Sequence, residues 1–273
     1  MPVRTLLYHD VVEGGRWNAS GFEGGDAAIY KLSRPAFEEH LDRLRAAGAA
    51  PAVAGAEAPA QGWMITFDDG GVSALEIIAP ALERRGWRGH FFMTTGRLGA
   101  PGFLDAAGLR ELAARGHVVG SHSADHPLAM SSLSPAALAD EWSRSVETLS
   151  RVIGVAPLVA SIPGGAYSTV VAETAAAAGI RVLFTSEPTA QSWRVGSVTC
   201  FGRYTIWRGM SAASALDFAL GRGMGRFRQR LAWDAKKVVK RTCGPAYREL
   251  RRRMLAGAAS VTAHPGSVNT PPR

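Results

Sequence analysis

Cysteine is nearly absent from this chain: Cys200 and Cys243 are the only two in 273 residues, far apart and outside any metal-knuckle spacing. That excludes a dense disulfide framework and points to plain thiols in a reducing compartment. No apolar run approaches the roughly 20 residues of a membrane-spanning helix, and no internal repeat or nucleic-acid-binding module is evident. The opening stretch from Met1 to Tyr8 has no charged leader, long apolar core or small-residue cleavage site. It therefore reads as a strand of a cytoplasmic protein, not as a secretory signal. An acidic surplus is missing too. The net charge is +8, yet it is local: Arg222 to Arg253 holds twelve Lys/Arg against Asp234 and Glu249, or +10, which leaves the rest of the chain at −2.

What is present is an alternation of apolar segments and helical patterns, with room for one large α/β domain or two small ones. Strands are expected at Val3–Tyr8, Trp63–Phe67, His90–Thr94, Val118–Val119, Leu158–Ile162 and Ile180–Thr185. One helix starts at a Ser33 cap with Phe37, Leu41 and Leu44 on one face, and others are expected over about 72–85 and near 105–115. Ser134-Pro135 opens a helix striped by Leu138, Trp142, Val146 and Leu149, and an Ala-rich helix runs from Thr169 to Ala178. This order predicts a parallel α/β sheet or barrel of about six or seven strands.

The chemically capable residues fall at C-terminal strand ends, where a (β/α) barrel builds its site: His9, Asp68 and Asp69, His122 and His126, Gly164 and Gly165, Ser186 and Glu187. Taken alone, Asp68-Asp69-Gly70 is a turn signal and His122-x-x-x-His126 an ordinary pair on a helical turn. Together they supply two carboxylates and two imidazoles. One Asp and two His hold a divalent metal with positions left open for water and substrate. The other Asp serves as a base toward the attacking water, so the pattern reads as a metal-dependent hydrolase.

Thr66-Phe67-Asp68-Asp69-Gly70 and His122-Ser123-Ala124-Asp125-His126 resemble two motifs of the polysaccharide deacetylases of the NodB-homology type, carbohydrate esterase family 4, and the resemblance covers roughly residues 3–205. It implies a distorted (β/α) barrel of about seven parallel strands, with Asp68 as the general base and Asp69, His122 and His126 as metal ligands. Zinc suits that set, with cobalt, nickel, manganese or iron as alternatives. The family's third motif, Arg-x-Pro-aromatic-Gly, reads here Ser161-Ile162-Pro163-Gly164-Gly165-Ala166-Tyr167, with Ser161 in place of the Arg and Gly164 in place of the aromatic. In the family that Arg pairs with the base. The resemblance implies that Pro163, Gly164 and Gly165 face substrate, a glycine N–H holding the oxyanion, while Tyr167, with Trp193, is a candidate either to stack on a sugar ring or, the preferred reading, to pack in the core. The usual C-terminal Leu-x-His is absent, and His264 sits in a small-residue tail. Leu7-Tyr8-His9-Asp10 resembles instead a circularly permuted subgroup, the poly-N-acetylglucosamine deacetylases, whose catalytic acid lies on the first strand at the place of His9. Asp10 and Glu187 are candidates to orient it.

The expected activity is removal of N-acetyl groups from amino sugars of a polysaccharide or lipid-linked glycan. The alternatives are hydrolysis of another amide or ester (an imide, a ureide, acetylated xylan) and a non-catalytic carbohydrate-binding relative. The expected organisation is a barrel over 1–215, a basic helical extension over 216–256 and a disordered tail over 257–273. In the extension, Phe227, Leu231, Ala235, Val238 and Val239 share a helical face among Arg228, Arg230, Lys236, Lys237 and Lys240. That pattern suits peripheral contact with an anionic membrane through 222–253, packing on the barrel, or contact with anionic polysaccharide. No nucleic acid partner is expected, and the sequence is silent on oligomeric state.

Overall fold

The computed structural model describes residues 2–48, 50–55 and 57–242. The expected tail, Cys243 and His264 lie outside the described residues. Strand β1 (Val3–Tyr8) is followed by β2 (Val11–Val12), the short helix α1 (Gly25–Ala28) and β3 (Leu32–Ser33). Parallel pairing of β2 with β3 ties together the two ends of a Gly-rich loop. Then come α2 (Arg34–Ala46), β4 (Gly62–Phe67), a π-helical turn over Ala74–Ile78 leading into α3 (Ala79–Glu83), β5 (His90–Met93), α4 (Ala106–Ala114) and β6 (Val118–Ser121). The pattern continues with α5 (Pro135–Ile153), β7 (Val159–Ser161), α6 (Thr169–Ala177), β8 (Val182–Phe184), β9 (Ser192–Val195), β10 (Val198–Phe201), β11 (Tyr204–Thr205), α7 (Ala212–Leu220) and α8 (Gly225–Thr242).

The sheet order is β11-β1-β4-β5-β6-β7-β8-β10-β9. All neighbours are parallel except the β9–β10 hairpin, so the expected distorted barrel is present with eight parallel strands. The surplus over the expected count is β10, whose apolar run is broken by the half-buried Thr199, and β11, only two residues long. Strands covered on both sides read as continuous apolar segments, and alternate residues divide between two cores. Ile65 and Phe91 belong to the cluster that includes helix residues Phe37, Leu41 and Phe218, whereas Met64 and Phe92 join Phe184 and Phe201 in a separate one.

Asp105, Ser134 and Ser168 cap α4, α5 and α6 through their side chains, while Ser33 occupies the cap position of α2 without a side-chain bond. The boundary expected between residues 215 and 216 falls inside α7, whose Ala215, Phe218 and Ala219 are buried and which packs against α2 and β1.

Candidate active site

Backbone pairing continues past the strand ends and fixes the positions of the polar residues. Asp68 N–H donates to the Tyr8 carbonyl (3.1 Å), and His122 N–H donates to that of Met93 (2.8 Å). Asp69 (φ 80°), Ser123 (φ 63°) and His126 (φ 57°) are the only non-glycine residues with positive φ among the described residues. Such conformations cost about 1–3 kcal/mol each and persist where the surroundings over-determine them. All three lie in the two motifs. The second loop is held by Ser123 Oγ, which accepts from His126 N–H (3.1 Å), and by Glu141 Oε2 on α5, which accepts from Ala124 and Asp125 N–H (3.1 and 3.0 Å). Glu141→Ala leaves both amides without their acceptor and is expected to cost about 1–3 kcal/mol. Thermal unfolding reads the loss, and Glu141→Gln, which keeps one acceptor oxygen, should restore most of it.

The three expected ligands converge. Asp69 Oδ1 lies 3.5 Å from Nε2 of His122 and 3.5 Å from Nε2 of His126, and one donor atom from each residue falls within 4.8 Å of the others. Ligand atoms about 2.0–2.1 Å from a tetrahedral zinc are themselves about 3.4 Å apart, so the cluster has the dimensions of such a site. His122 Nδ1 sits 3.1 Å from the Ser161 carbonyl, an acceptor, which puts the proton on Nδ1 and leaves the Nε2 lone pair turned toward Asp69. Burial, reinforced by the His122 charge, lowers the His126 pKa to about 4 and keeps that ring in its neutral, ligating form. Phe22 packs on the same ring at 4.7 Å.

His122 behaves differently: burial opposes its charge, but Asp68 and Asp69 outweigh burial and raise its pKa. Asp69 is likewise resisted by burial, yet His122, His9 and His126 hold it well below the usual carboxylate range. The carboxylates thus draw positive charge into the site, a demand that a divalent cation meets.

Asp68 stands beside this cluster, its Oδ2 3.8 Å from His122 Nε2. Its partner is Arg203, which the sequence reading missed. Arg203 follows β10, is fully buried, and grips Asp68 with two parallel bonds, Nη1 to Oδ1 at 2.7 Å and Nη2 to Oδ2 at 2.8 Å. Its Nε donates to the Thr185 carbonyl (2.9 Å), and its backbone N–H donates to that of Glu187 (2.9 Å). The guanidinium absent from position 161 is therefore delivered from another strand. Ser161 has work of its own: its Oγ lies 2.5 Å from His122 Nδ1 and donates to Asp68 Oδ1 (3.1 Å), linking ligand to base. Burial pushes the Asp68 pKa up, Arg203 and His122 push it down, and the net shift is downward.

His9 lies at the end of β1 with its ring tilted against that of Tyr30 (5.0 Å, 30°) and its Nδ1 buried without a partner among the described residues. No hydrogen bond from Asp10 orients it. Asp10 Oδ1 instead accepts from Ser20 (2.6 Å) and Ser73 (2.8 Å), pinning the Gly-rich loop. Pro163, Gly164 and Gly165 form a tight turn after β7. Gly165 spends its N–H on the Ile162 carbonyl (3.2 Å), so of the expected pair only Gly164 has its N–H outside the backbone bonds of the described residues. Both glycines have positive φ (60° and 65°), and a Cβ at Gly165 would stand 2.5 Å from Ser186 Cβ and 2.8 Å from the Trp233 ring. Tyr167 is held by Trp193, whose Nε1 donates to its hydroxyl (2.9 Å), and packs with the cluster of Trp142, Ile162 and Leu183. This is the place of a packing residue.

Residues 55–183 match the family model described as polysaccharide deacetylase, a span that holds Asp68, Asp69, His122, His126 and the Pro163–Gly165 turn. Over that span the chain is similar to the polysaccharide deacetylases. Its His9 and Arg203 lie outside the matched span. YxkH of Bacillus subtilis (strain 168), whose own name assigns it provisionally to polysaccharide deacetylases, is 27% identical over 151 residues, which is 55% of this chain and 53% of YxkH. The chain thus spans about half the length of that relative. Among solved structures, the Streptococcus pyogenes deacetylase PplD in complex with acetate superposes with a TM-score of 0.67 at 16% identity, covering 80% of this chain and 98% of that one. IcaB from Ammonifex degensii superposes with a TM-score of 0.62 at 23% identity, covering 79% and 97%. The fold is shared with both.

Proposed function

We propose that the chain hydrolyses the N-acetyl group of an amino-sugar glycan. The observation that carries this reading is the separation of roles at neighbouring positions: Asp69 joins His122 and His126, while Asp68 is held by Arg203 and Ser161 just beside them. A divalent metal held by Asp69, His122 and His126 would supply Lewis acidity toward the acetyl carbonyl and the attacking water. Asp68, ionised and fixed in orientation, takes the proton of that water as it attacks. The Gly164 amide donates to the oxygen that gains negative charge. His9 then gives a proton to the departing amine nitrogen, which leaves poorly as an anion. Ser161 keeps the His122 proton on Nδ1 throughout.

The match to the deacetylase family model and the intact base favour an enzyme over a carbohydrate-binding relative. The test is acetate release from N-acetylglucosamine oligomers, acetylated xylan and a cyclic imide, before and after chelation. Release from the oligomers, lost with chelator and restored by zinc or cobalt, is the expected result. Release from xylan alone would replace this reading by the ester alternative, and release undiminished by metal removal would reject it.

A further inference from the structure

Over its described side chains, residues 225–235, helix α8 is amphipathic in the reverse of the usual sense. A helix covering a barrel ordinarily turns its apolar stripe inward. Here the inward side carries Arg226, Gln229 and Trp233, and the stripe of Met224, Phe227 and Leu231 faces out, 64%, 54% and 73% exposed. The inward contacts are specific. Gln229 accepts from Thr205 N–H (3.1 Å) and donates to the Thr205 carbonyl (2.8 Å), covering the edge of β11 as a paired strand would. One turn on, Trp233 reaches the Pro163–Gly165 turn beside the candidate site. The other flank of that turn is the Leu128 carbonyl, next to Gly164, and Leu128 is 82% exposed. The helix is therefore fixed at the rim of the site with Met224, Phe227 and Leu231 exposed to solvent, Phe227 meeting only the Arg226 guanidinium at 4.8 Å from its ring among the contacts of the described residues.

Charge says what covers them. Arg222, Arg228 and Arg230 flank the stripe on the exposed side, Asp234 is the one acid within 222–235 and pairs with Arg230, and the basic run continues to Arg253 in a chain that is slightly acidic outside 222–253. We propose that α8 docks on an anionic lipid bilayer, setting Met224, Phe227 and Leu231 among the headgroups with arginines at the phosphate level. The candidate site then opens beside a membrane surface, within reach of a glycan held there. The inference is independent of the deacetylase reading, since docking needs neither metal nor turnover.

Co-sedimentation of the full chain with vesicles of phosphatidylcholine alone, or of phosphatidylcholine with phosphatidylglycerol, tests it. Partition into the anionic vesicles is expected to exceed that into neutral ones by at least about tenfold and to weaken with salt. Phe227→Ser with Leu231→Ser, both at exposed positions, should remove most of the binding with the unfolding temperature unchanged, and Arg222→Gln with Arg228→Gln should weaken it. Equal partition into both vesicle types overturns the proposal. So does undiminished binding by the Phe227/Leu231 variant, which would mean adsorption by charge alone. Concentration-dependent dimerisation without vesicle binding would assign the face to a second copy and overturn it as well.

Discussion

Replacing Asp68 by Asn is expected to lower acetate release by about 10²–10⁴-fold, the contribution of a positioned base, with the Asp69–His122–His126 cluster still able to load metal. The same change strands the Arg203 guanidinium, fully buried. Removing one partner of a buried ion pair costs about 3–5 kcal/mol because the remaining charge is left uncompensated. Arg203→Gln should cost a similar amount from the other side. Combining Asp68→Asn with Arg203→Gln then recovers part of the stability lost by either single change and none of the activity, a non-additivity that a double-mutant cycle reads directly. Strict additivity in chemical unfolding would show that the pair does not hold the base in place. Retention of the full rate by Asp68→Asn would remove Asp68 as the base.

The pH dependence has a definite sign. Burial alone raises the Asp68 pKa, and Arg203 with His122 brings it below its ordinary value. A depressed carboxylate contributes stability that is present above its unfolded-state pKa, about 3.9, and is lost as pH falls through the folded value. In Arg203→Gln the effect of burial is less opposed, so the Asp68 pKa moves up. Asp68 then has less stability to lose on acidification, so the stability of Arg203→Gln, lower at neutral pH, should fall less steeply with pH below about 4. The acid limb of kcat/KM should move to higher pH, and both effects are measurable on one protein preparation.

Legibility in the sequence followed the range of the interactions. Asp68 and Asp69, and likewise His122 and His126, are local in sequence and stand directly after strands buried on both sides, so apolar runs and motifs located them together. The convergence of Asp69 with the two imidazoles follows from parallel neighbours delivering their C-terminal ends to one face. Arg203 had no such signal, since an arginine after Phe201-Gly202 looks like any polar residue leaving a short strand. Only a demand pointed to it: Ser161 stands where an Arg was expected, and a buried carboxylate beside a second one needs a counter-charge. Periodicity likewise found the apolar stripe of α8 but not its direction, because a hydrophobic face says nothing about which side meets the barrel. Gly164 and Gly165 read as a loop competent for substrate, and only the backbone bond from Gly165 to Ile162 separated the two.

His9 carries the second large expectation, and its measurement separates an acid from a ligand or a packing residue. His9→Gln should slow acetate release from an N-acetyl sugar by about 10²–10⁴-fold. An aryl acetate ester, whose phenolate departs without a proton, should lose far less with the same variant, since the proton matters only when the leaving group needs it. Bound metal should be unchanged, as His9 is not part of the Asp69–His122–His126 cluster. Loss of the ring contact with Tyr30 should lower stability only slightly. Equal losses on amide and ester would mean that His9 acts before the leaving group departs, through the field it places on Asp68 and Asp69. Loss of metal with loss of rate would make it part of the cation site. A selective loss on the amide leaves proton donation to nitrogen as the role that fits, because only that step distinguishes the two substrates.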